Sequence, residues 1–148
     1  MPQSYTSLAV HLIFSTKNRL PQITPQLQAR LHAYMGGIVR RNDCVPLQIG
    51  GVPDHVHLLI GLHPSRAVDE MVRLVKSNSS KWVHETVKSA DFAWQAGYSA
   101  FSVSASNQER VTAYIANQER HHRKMTFKEE VEEFLKKHRV KYGPEIWD

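Results

Sequence analysis

The 148-residue sequence has a single cysteine, Cys44, and contains no long apolar run. One cysteine cannot form an internal disulfide, which excludes the small disulfide-stapled secreted proteins and fits a reducing cytoplasm. No segment approaches the roughly 18 to 20 consecutive apolar residues that a membrane-spanning helix needs. The apolar stretch Leu8–Phe14 is interrupted by His11 and lacks the basic flank and cleavage site of a secretory signal. We therefore expect a soluble, cytoplasmic protein.

The composition also lacks the marks of a disordered or fibrous chain. Hydrophobic residues make up 41% and charged residues 22% of the sequence, which is ordinary for a globular protein. No repeat, low-complexity segment or linker divides the chain, and its length suffices for one hydrophobic core, so a single domain over residues 1–148 is expected. The formal net charge of +5 favours an anionic partner such as nucleic acid.

The most informative segment is Asp54–Ile60, which contains His55-Val56-His57. Side chains of a strand alternate between its two faces, so both imidazoles would point the same way. The opposite, buried face would carry the alternating apolar residues Val56, Leu58, Ile60 and Leu62. Two imidazoles on one face can converge on a divalent metal ion, although His-x-His by itself is a common chance pattern.

Hydrophobic periodicity predicts four strands and four helices. Helix starts are indicated by Thr24-Pro25 and Ser65, and by two capping boxes, Ser106–Glu109 and Thr126–Glu129. The predicted strands cover residues 5–15, 45–52, the histidine segment and 98–104. The predicted helices run from Pro25 to about Arg41, from Ser65 past Trp82, over about 106–122 and over about 126–138.

This order, β-α-β-β-α-β followed by two helices, is typical of the ferredoxin-like sandwich of the α+β class, with an antiparallel sheet. In that topology the first and third strands are central neighbours and both crossover helices cover one face of the sheet. The other face is expected to stay open for a partner, and His11, His55 and His57 would share it. The residues expected beneath the helices are Val10, Leu12, Phe14, Val56, Leu58 and Ile60.

A second element, Tyr114-Ile115-Ala116-Asn117-Gln118, lies near the other end of the chain. On a helix, positions i and i+4 lie one above the other, so Tyr114 and Gln118 would face the same way. Alone, this pattern is ordinary, because most tyrosines on amphipathic helices are simply half-buried. Combined with the histidines it suggests chemistry: a metal held by two imidazoles and an amide oxygen could polarise a phosphodiester, which a phenolic oxygen could attack.

The segments 50–59 and 114–118 resemble the small single-tyrosine HUH transposases of the insertion-sequence 200/605 family. Further similarity covers 15–19, 76–80 and 94–103, in the order found in that family. The resemblance implies cutting and rejoining of single-stranded DNA at hairpin-marked element ends through a 5′-phosphotyrosine, in the prokaryotic cytosol and without a nucleotide cofactor. It also implies a homodimer whose tyrosine helix acts in trans.

Residue roles follow from the same resemblance. Tyr114 would be the nucleophile, and His55, His57 and Gln118 would bind Mg²⁺ or Mn²⁺. His11, Asp54 and His121 are candidates to contact and orient this site, although each also fits an ordinary role as an open-face, turn or solvated residue. Candidate phosphate contacts, each of which could equally be a solvated surface charge, are Lys17, Arg19, Arg73, Lys76 and Lys81. The last helix, with four glutamates over 129–133, is interpreted as too acidic to face DNA.

Two other functions remain open from the sequence. The first is a non-catalytic or domesticated nucleic-acid-binding module on the same scaffold. The second is a metal-dependent hydrolase that uses water, with Tyr114 as a bystander. A covalent link between protein and DNA distinguishes the transposase from both alternatives.

Overall fold

A computed structural model describes residues 3–147, whose central feature is one antiparallel sheet of four strands. The strands are β1 (Ala9–Ser15), β2 (Val45–Val52), β3 (His55–Gly61) and β4 (Ser99–Val103). The helices are α1 (Pro25–Arg41), α2 (Val68–Trp82), α3 (Gln108–Ala116), α4 (Gln118–His121) and α5 (Phe127–Lys137). No helix within 3–147 combines the length and apolarity needed to cross a membrane.

The strand order is β2–β3–β1–β4, so β1 and β3 are the central neighbours. They pair antiparallel, with Leu12 opposite Leu58 and Phe14 opposite Val56. These four side chains are buried in the main core together with apolar residues of α1 and α2. The ferredoxin-like α+β architecture and the face predicted to lie beneath the two crossover helices are therefore confirmed.

Local signals placed some helix starts correctly. The Thr24 hydroxyl accepts a hydrogen bond from the Leu27 amide, with Pro25 in the first turn, so α1 begins where expected. The capping box at the start of α5 is also present, because Thr126 and Glu129 satisfy each other's backbone amides.

Two other predicted caps are wrong. Ser65 does not cap α2, which begins at Val68 after Ala67; its hydroxyl lies 2.7 Å from Nδ1 of His63 instead. Ser106 forms no capping box, since its hydroxyl pairs with that of Ser104 at 3.2 Å. The chain makes a 3₁₀ turn over Ala105–Asn107 before α3. In both places the serine hydroxyl hydrogen-bonds to a nearby side chain instead of to a backbone amide at the start of a helix.

The second face of the sheet is covered, and the expectation of an open face is wrong. Besides the histidines, this face carries Ile13, Leu59 and Phe101, whose apolar surface needs a partner. Ile115 of α3 packs against Leu59, and apolar residues of α5 pack against Ile13 and Phe101. As a result His11, His55 and His57 are only 1%, 0% and 0% exposed.

The close packing of α3 against β2 depends on a glycine. A Cβ atom at Gly50 would lie 2.3 Å from the backbone oxygen of Ile115 and 2.9 Å from its Cγ2. Backbone cannot yield as a flexible side-chain tip can, so a larger residue at Gly50 would push α3 away from the sheet. This glycine therefore sets the position of the helix that carries Tyr114.

We predict that Gly50→Ala lowers the free energy of unfolding by about 1–3 kcal/mol, the usual cost of overpacking. Denaturant unfolding followed by circular dichroism measures the change. The matched control is Gly37→Ala on α1, where a new Cβ meets no atom within 4 Å. Because alanine favours helix over glycine, the control should be neutral or stabilised by up to about 1 kcal/mol. Equal stability of Gly50→Ala and wild type would contradict the packing role.

Candidate active site

The antiparallel pairing of β1 and β3 brings three histidines together. His11 lies opposite Leu59 and His57 opposite Ile13, so the two imidazoles are diagonal neighbours on one face. His11 Nε2 and His57 Nδ1 are 2.8 Å apart and share a hydrogen bond. His55 Nδ1 donates to Asp54 Oδ1 at 2.7 Å. His11 and Asp54 thus each contact and orient one imidazole of the His-x-His pair.

The tyrosine helix is broken, contrary to the continuous helix predicted over 106–122. It ends at Ala116, Asn117 adopts φ −107° and ψ 26°, and a short helix resumes at Gln118. The Asn117 side chain donates to the Ala113 carbonyl at 2.8 Å, a local bond that competes with helix continuation. Gln118 still reaches the histidines, because its Oε1 lies 3.1 Å from His55 Nε2.

Two residues that sequence reasoning did not assign, His122 and Glu130, complete the cluster. Glu130 Oε1 lies 3.0 Å from His57 Nε2, 2.9 Å from His122 Nε2 and 3.2 Å from His55 Nε2. Its Oε2 accepts hydrogen bonds from Gln118 Nε2 at 3.0 Å and from the Tyr114 hydroxyl. One ligand atom from each of His55, His57, His122 and Glu130 fits within 4.8 Å of the others.

A sequence signal for Glu130 does exist. Phe127, Val131 and Leu135 form the buried stripe of α5, and Glu130 lies on the same face at 1% exposure. A carboxylate inside an apolar helical stripe is rare unless it is paired, so it marks a functional candidate. The interpretation of the last helix as too acidic to face DNA grouped Glu130 with the other glutamates and overlooked its position in the apolar stripe. For His122 the sequence offers only its place after Gln118 in the pair His121-His122, which could reach a metal or phosphate but is usually solvated at a helix end.

Burial controls the charge states of the imidazoles. Desolvation lowers the pKa of His57 to about 4 and that of His11 to about 3, so both are neutral at pH 7. For His55, burial also acts to lower the pKa, but the hydrogen bonds that its ring donates to Asp54 and Glu130 outweigh it and raise the pKa above its ordinary value. Neutral imidazole is the form that binds metal ions.

The acidic groups are shifted in opposite directions. Burial works to raise the pKa of Glu130, but hydrogen bonds from His122, His55 and His57 outweigh it and hold that pKa well below its usual range. Burial and the neighbouring Glu130 carboxylate raise the pKa of Tyr114 above its ordinary value. At neutral pH the site therefore pairs an ionised carboxylate with a protonated phenol.

His121 lies beside the tyrosine and outside the histidine cluster. Its ring stacks on that of Tyr114, with centroids 4.4 Å apart and planes 25° apart. The predicted contact with the site is therefore made through the phenol ring.

The residues predicted to contact phosphates differ in how exposed their side chains are. Lys17, Arg73 and Lys81 are exposed, whereas Lys76 donates to the carbonyls of Gln95 at 2.8 Å and Gly97 at 2.6 Å. Lys76 is therefore engaged in holding the loop before β4, and burial lowers its pKa to about 8.

A cleft of about 710 Å³ opens beside the histidine cluster. His122 forms part of its wall, which carries the cationic side chains of Arg19, Arg123 and Lys124 and the acidic side chains of Asp54, Glu119 and Glu129. The cleft thus connects the cluster to solvent through a surface that carries charges of both signs.

The donor set fits a divalent metal ion. Imidazole nitrogens and a carboxylate oxygen are ordinary ligands of Mn²⁺, Zn²⁺ and related ions. The hydrogen bonds that the Nδ1 atoms of His55 and His57 make with Asp54 and His11 match the outer contacts that orient such ligands. The cluster could therefore hold a metal within reach of the Tyr114 hydroxyl.

Comparison with known proteins gives a consistent result. The family model described as "Transposase IS200 like" matches residues 4–118. The chain is 25% identical over 117 residues to the ISDra2 transposase TnpA of Deinococcus radiodurans, a match that covers 75% of this chain and 84% of that protein.

Two solved structures share the fold. A crystal structure of a candidate transposase from Deinococcus radiodurans R1 matches with a TM-score of 0.62 and 23% identity, covering 80% of this chain and 96% of the other. A REP-associated tyrosine transposase bound to a REP hairpin matches with a TM-score of 0.56 and 15% identity, covering 78% of this chain and 68% of the other.

We predict that His57→Ala weakens Mn²⁺ binding by about tenfold or more, because it removes a ligand from a buried site. Isothermal titration calorimetry on folded protein measures the affinity. The control is His63→Ala, which removes an exposed imidazole that pairs with Ser65 and should bind Mn²⁺ like wild type. Equal affinity in wild type and His57→Ala would exclude His57 as a ligand.

Proposed function

The chain belongs to the IS200-like transposase family, and we propose that it cuts and rejoins single-stranded DNA at hairpin-marked element ends through a 5′-phosphotyrosine intermediate. Members of this family are DNA-cleaving enzymes, so the proposal concerns the substrate and the chemical step. The observation that carries it is the Tyr114 hydroxyl, which donates to the Glu130 carboxylate at the centre of the histidine cluster. A phenol held there is within reach of a phosphate bound at the cluster.

In the proposed reaction, the Tyr114 oxygen forms a bond to the phosphorus and the bond from phosphorus to the 3′ oxygen breaks. The product is a 5′-phosphotyrosine link and a free 3′-hydroxyl. A 3′-hydroxyl then attacks a second such link and restores a phosphodiester. Each step exchanges one phosphodiester for another, so no nucleotide cofactor is required.

His55, His57 and Gln118 would hold a divalent ion, Mg²⁺ or Mn²⁺, as the family resemblance implies. When bound, such an ion acts as a Lewis acid on the phosphate. His11 and Asp54 keep the two imidazoles in place through their far nitrogens. The apolar packing of α5 on the sheet excludes water from the inner side of the cluster.

The proposed path of the DNA strand is the cleft beside the cluster. Arg19, Arg123 and Lys124 would contact phosphates on either side of the scissile position. The fold is shared with a transposase bound to a REP hairpin, which supports a DNA hairpin as the ligand of this chain. A binding module without catalysis, or a hydrolase that uses water, would bind the same DNA but leave no covalent product.

We predict that wild-type protein, incubated with single-stranded hairpin DNA and Mn²⁺, forms an adduct that survives a denaturing gel. Tyr114→Phe should abolish the adduct while DNA binding and stability persist, because only one hydroxyl is lost. Tyr142→Phe, which alters a partly exposed tyrosine near the C-terminus, is the control and should react like wild type. An adduct that persists in Tyr114→Phe would show that the nucleophile lies elsewhere, and duplex DNA should react poorly.

We also propose that the protein works as a homodimer with the tyrosine acting in trans. Within one chain, Tyr114 already contacts Glu130 and its ring centroid lies 6.0 Å from that of His57. Exchange of the segment from α3 to α5 between two copies would rebuild the same contacts across the dimer. The short polar connection around Ser104–Ser106 is the segment that would have to change direction, and the edge strands β2 and β4 offer surfaces for a second copy.

Co-expression of His57→Ala with Tyr114→Phe tests the arrangement, since each variant alone should be inactive. In trans, a heterodimer holds one fully wild-type site and one doubly defective site, so adduct formation per heterodimer should return to about half of wild type. In cis, every site keeps one defect and no activity returns. Co-purification of the two variants through different affinity tags confirms that heterodimers have formed.

A further inference from the structure

The family match ends at residue 118, yet two further groups converge on the cluster from beyond it. His122 lies just after α4, and Glu130 lies in the first turn of α5. Neither residue belongs to the His-x-His and Tyr-x-x-x-Gln pattern from which the proposed function is derived. The contacts of these two side chains therefore indicate their role.

The Nδ1 atoms of His55 and His122 make hydrogen bonds on the side away from the cluster, so the Nε2 atoms are the ones that could bind a ligand. His55 Nδ1 faces the Asp54 carboxylate at 2.7 Å, and His122 Nδ1 faces the Met125 carbonyl at 2.8 Å. Both partners can only accept, so in a neutral imidazole the proton is on Nδ1 and Nε2 carries a lone pair. The two Nε2 atoms therefore point into the cluster, where they hydrogen-bond to Glu130 when protonated and offer a lone pair to a metal ion when not.

The other atoms at this point are acceptors too. Glu130 Oε1 lies 3.2 Å from His55 Nε2 and 2.9 Å from His122 Nε2. Gln118 Oε1 lies 3.1 Å from the same two nitrogens, because the Gln118 amide nitrogen is turned toward Glu130 Oε2. Atoms of these kinds need positive charge between them. Without a metal ion, protons on the imidazoles supply it through hydrogen bonds to Glu130, and a metal ion bound there would replace those protons. His57 Nε2, 3.0 Å from Glu130 Oε1, is a further atom of this set.

We propose that Glu130 and His122 are metal ligands together with His55 and His57, and that Glu130 connects the metal to the nucleophile. Its Oε1 is the ligand atom, and its Oε2 holds the Tyr114 hydroxyl and receives its proton. This inference deepens the proposed function and rests on it for the role of Tyr114. Three imidazoles and one carboxylate favour Mn²⁺ and other transition ions over Mg²⁺, which prefers oxygen ligands.

The proton balance of the cleavage step follows from these contacts. As the Tyr114 oxygen bonds to phosphorus, its proton passes to Glu130 Oε2, and the departing 3′ oxygen takes a proton from solvent water. Gln118 Nε2 donates to the same Oε2 and keeps it directed at the phenol. In the reverse direction Glu130 returns the proton to the phenolic oxygen as the phosphotyrosine bond breaks.

Glu130→Gln tests both parts, because it keeps the size and hydrogen-bonding capacity of the side chain but removes its charge and its ability to take a proton. We expect Mn²⁺ affinity by calorimetry to fall by about tenfold or more, and adduct formation at saturating Mn²⁺ to fall by about a hundredfold. His122→Ala should weaken Mn²⁺ binding by a similar factor. Glu133→Gln, an exposed glutamate of the same helix, is the matched control and should leave both measurements unchanged.

A measurement on wild-type protein does not depend on whether the variants fold. Electron-nuclear double resonance of Mn²⁺-loaded protein, grown with glutamate labelled with ¹³C at its carboxylate, should detect a directly bound carboxylate carbon. Absence of this coupling, or wild-type Mn²⁺ affinity in folded Glu130→Gln, would overturn ligation by Glu130. If Glu130→Gln binds Mn²⁺ weakly but forms the adduct at the wild-type rate when saturated, its role as proton acceptor is overturned.

Failure of the proposed function would give a different result. Wild-type protein would then form no adduct at Tyr114, although Mn²⁺ binding would still depend on Glu130 and His122. That outcome would overturn the proton-acceptor role while supporting the ligand assignment. The two hypotheses are therefore distinguished by the adduct assay and the binding assay together.

Discussion

The buried carboxylate of Glu130 is the interaction on which the rest of the site depends. Removing a carboxylate from water costs several kcal/mol unless its lone pairs are satisfied. Its partners come from β3, α3, α4 and the turn after α4: the imidazoles of His55, His57 and His122, the amide of Gln118 and the phenol of Tyr114. The cluster therefore assembles only when α5 packs on the sheet and brings Glu130 to its partners.

This constraint explains why the two faces of the sheet differ. Beneath α1 and α2 the sheet forms a predominantly apolar core, which stabilises the fold. The other face combines apolar packing with the polar cluster, and the apolar contacts of Ile13 and Phe101 with α5 hold the cluster in a dry environment. Electrostatic interactions are stronger there than in water, so small sets of charges can control a proton and a phosphate.

The predictions that held depend on local periodicity, and those that failed depend on competition between partners. Thr24 and Thr126 cap their helices because no other group engages their hydroxyls more favourably. Ser65 and Ser106 do not, because His63 and Ser104 take those hydroxyls. Gln118 reaches the site although the helix that was to carry it there is broken at Asn117.

By itself the sequence determined the strand order, the face of β3 that carries His55 and His57, and the family to which Tyr114 and Gln118 point. Period-2 alternation and motif spacing are properties of the chain, and they survive in any arrangement of its helices. Only the tertiary structure decided that the histidine face is covered and that Glu130 and His122 join the cluster. The contacts of Glu130 with His57 and His55 join residues 73 and 75 positions apart along the chain, and they form only when the apolar stripe of α5 packs on the sheet.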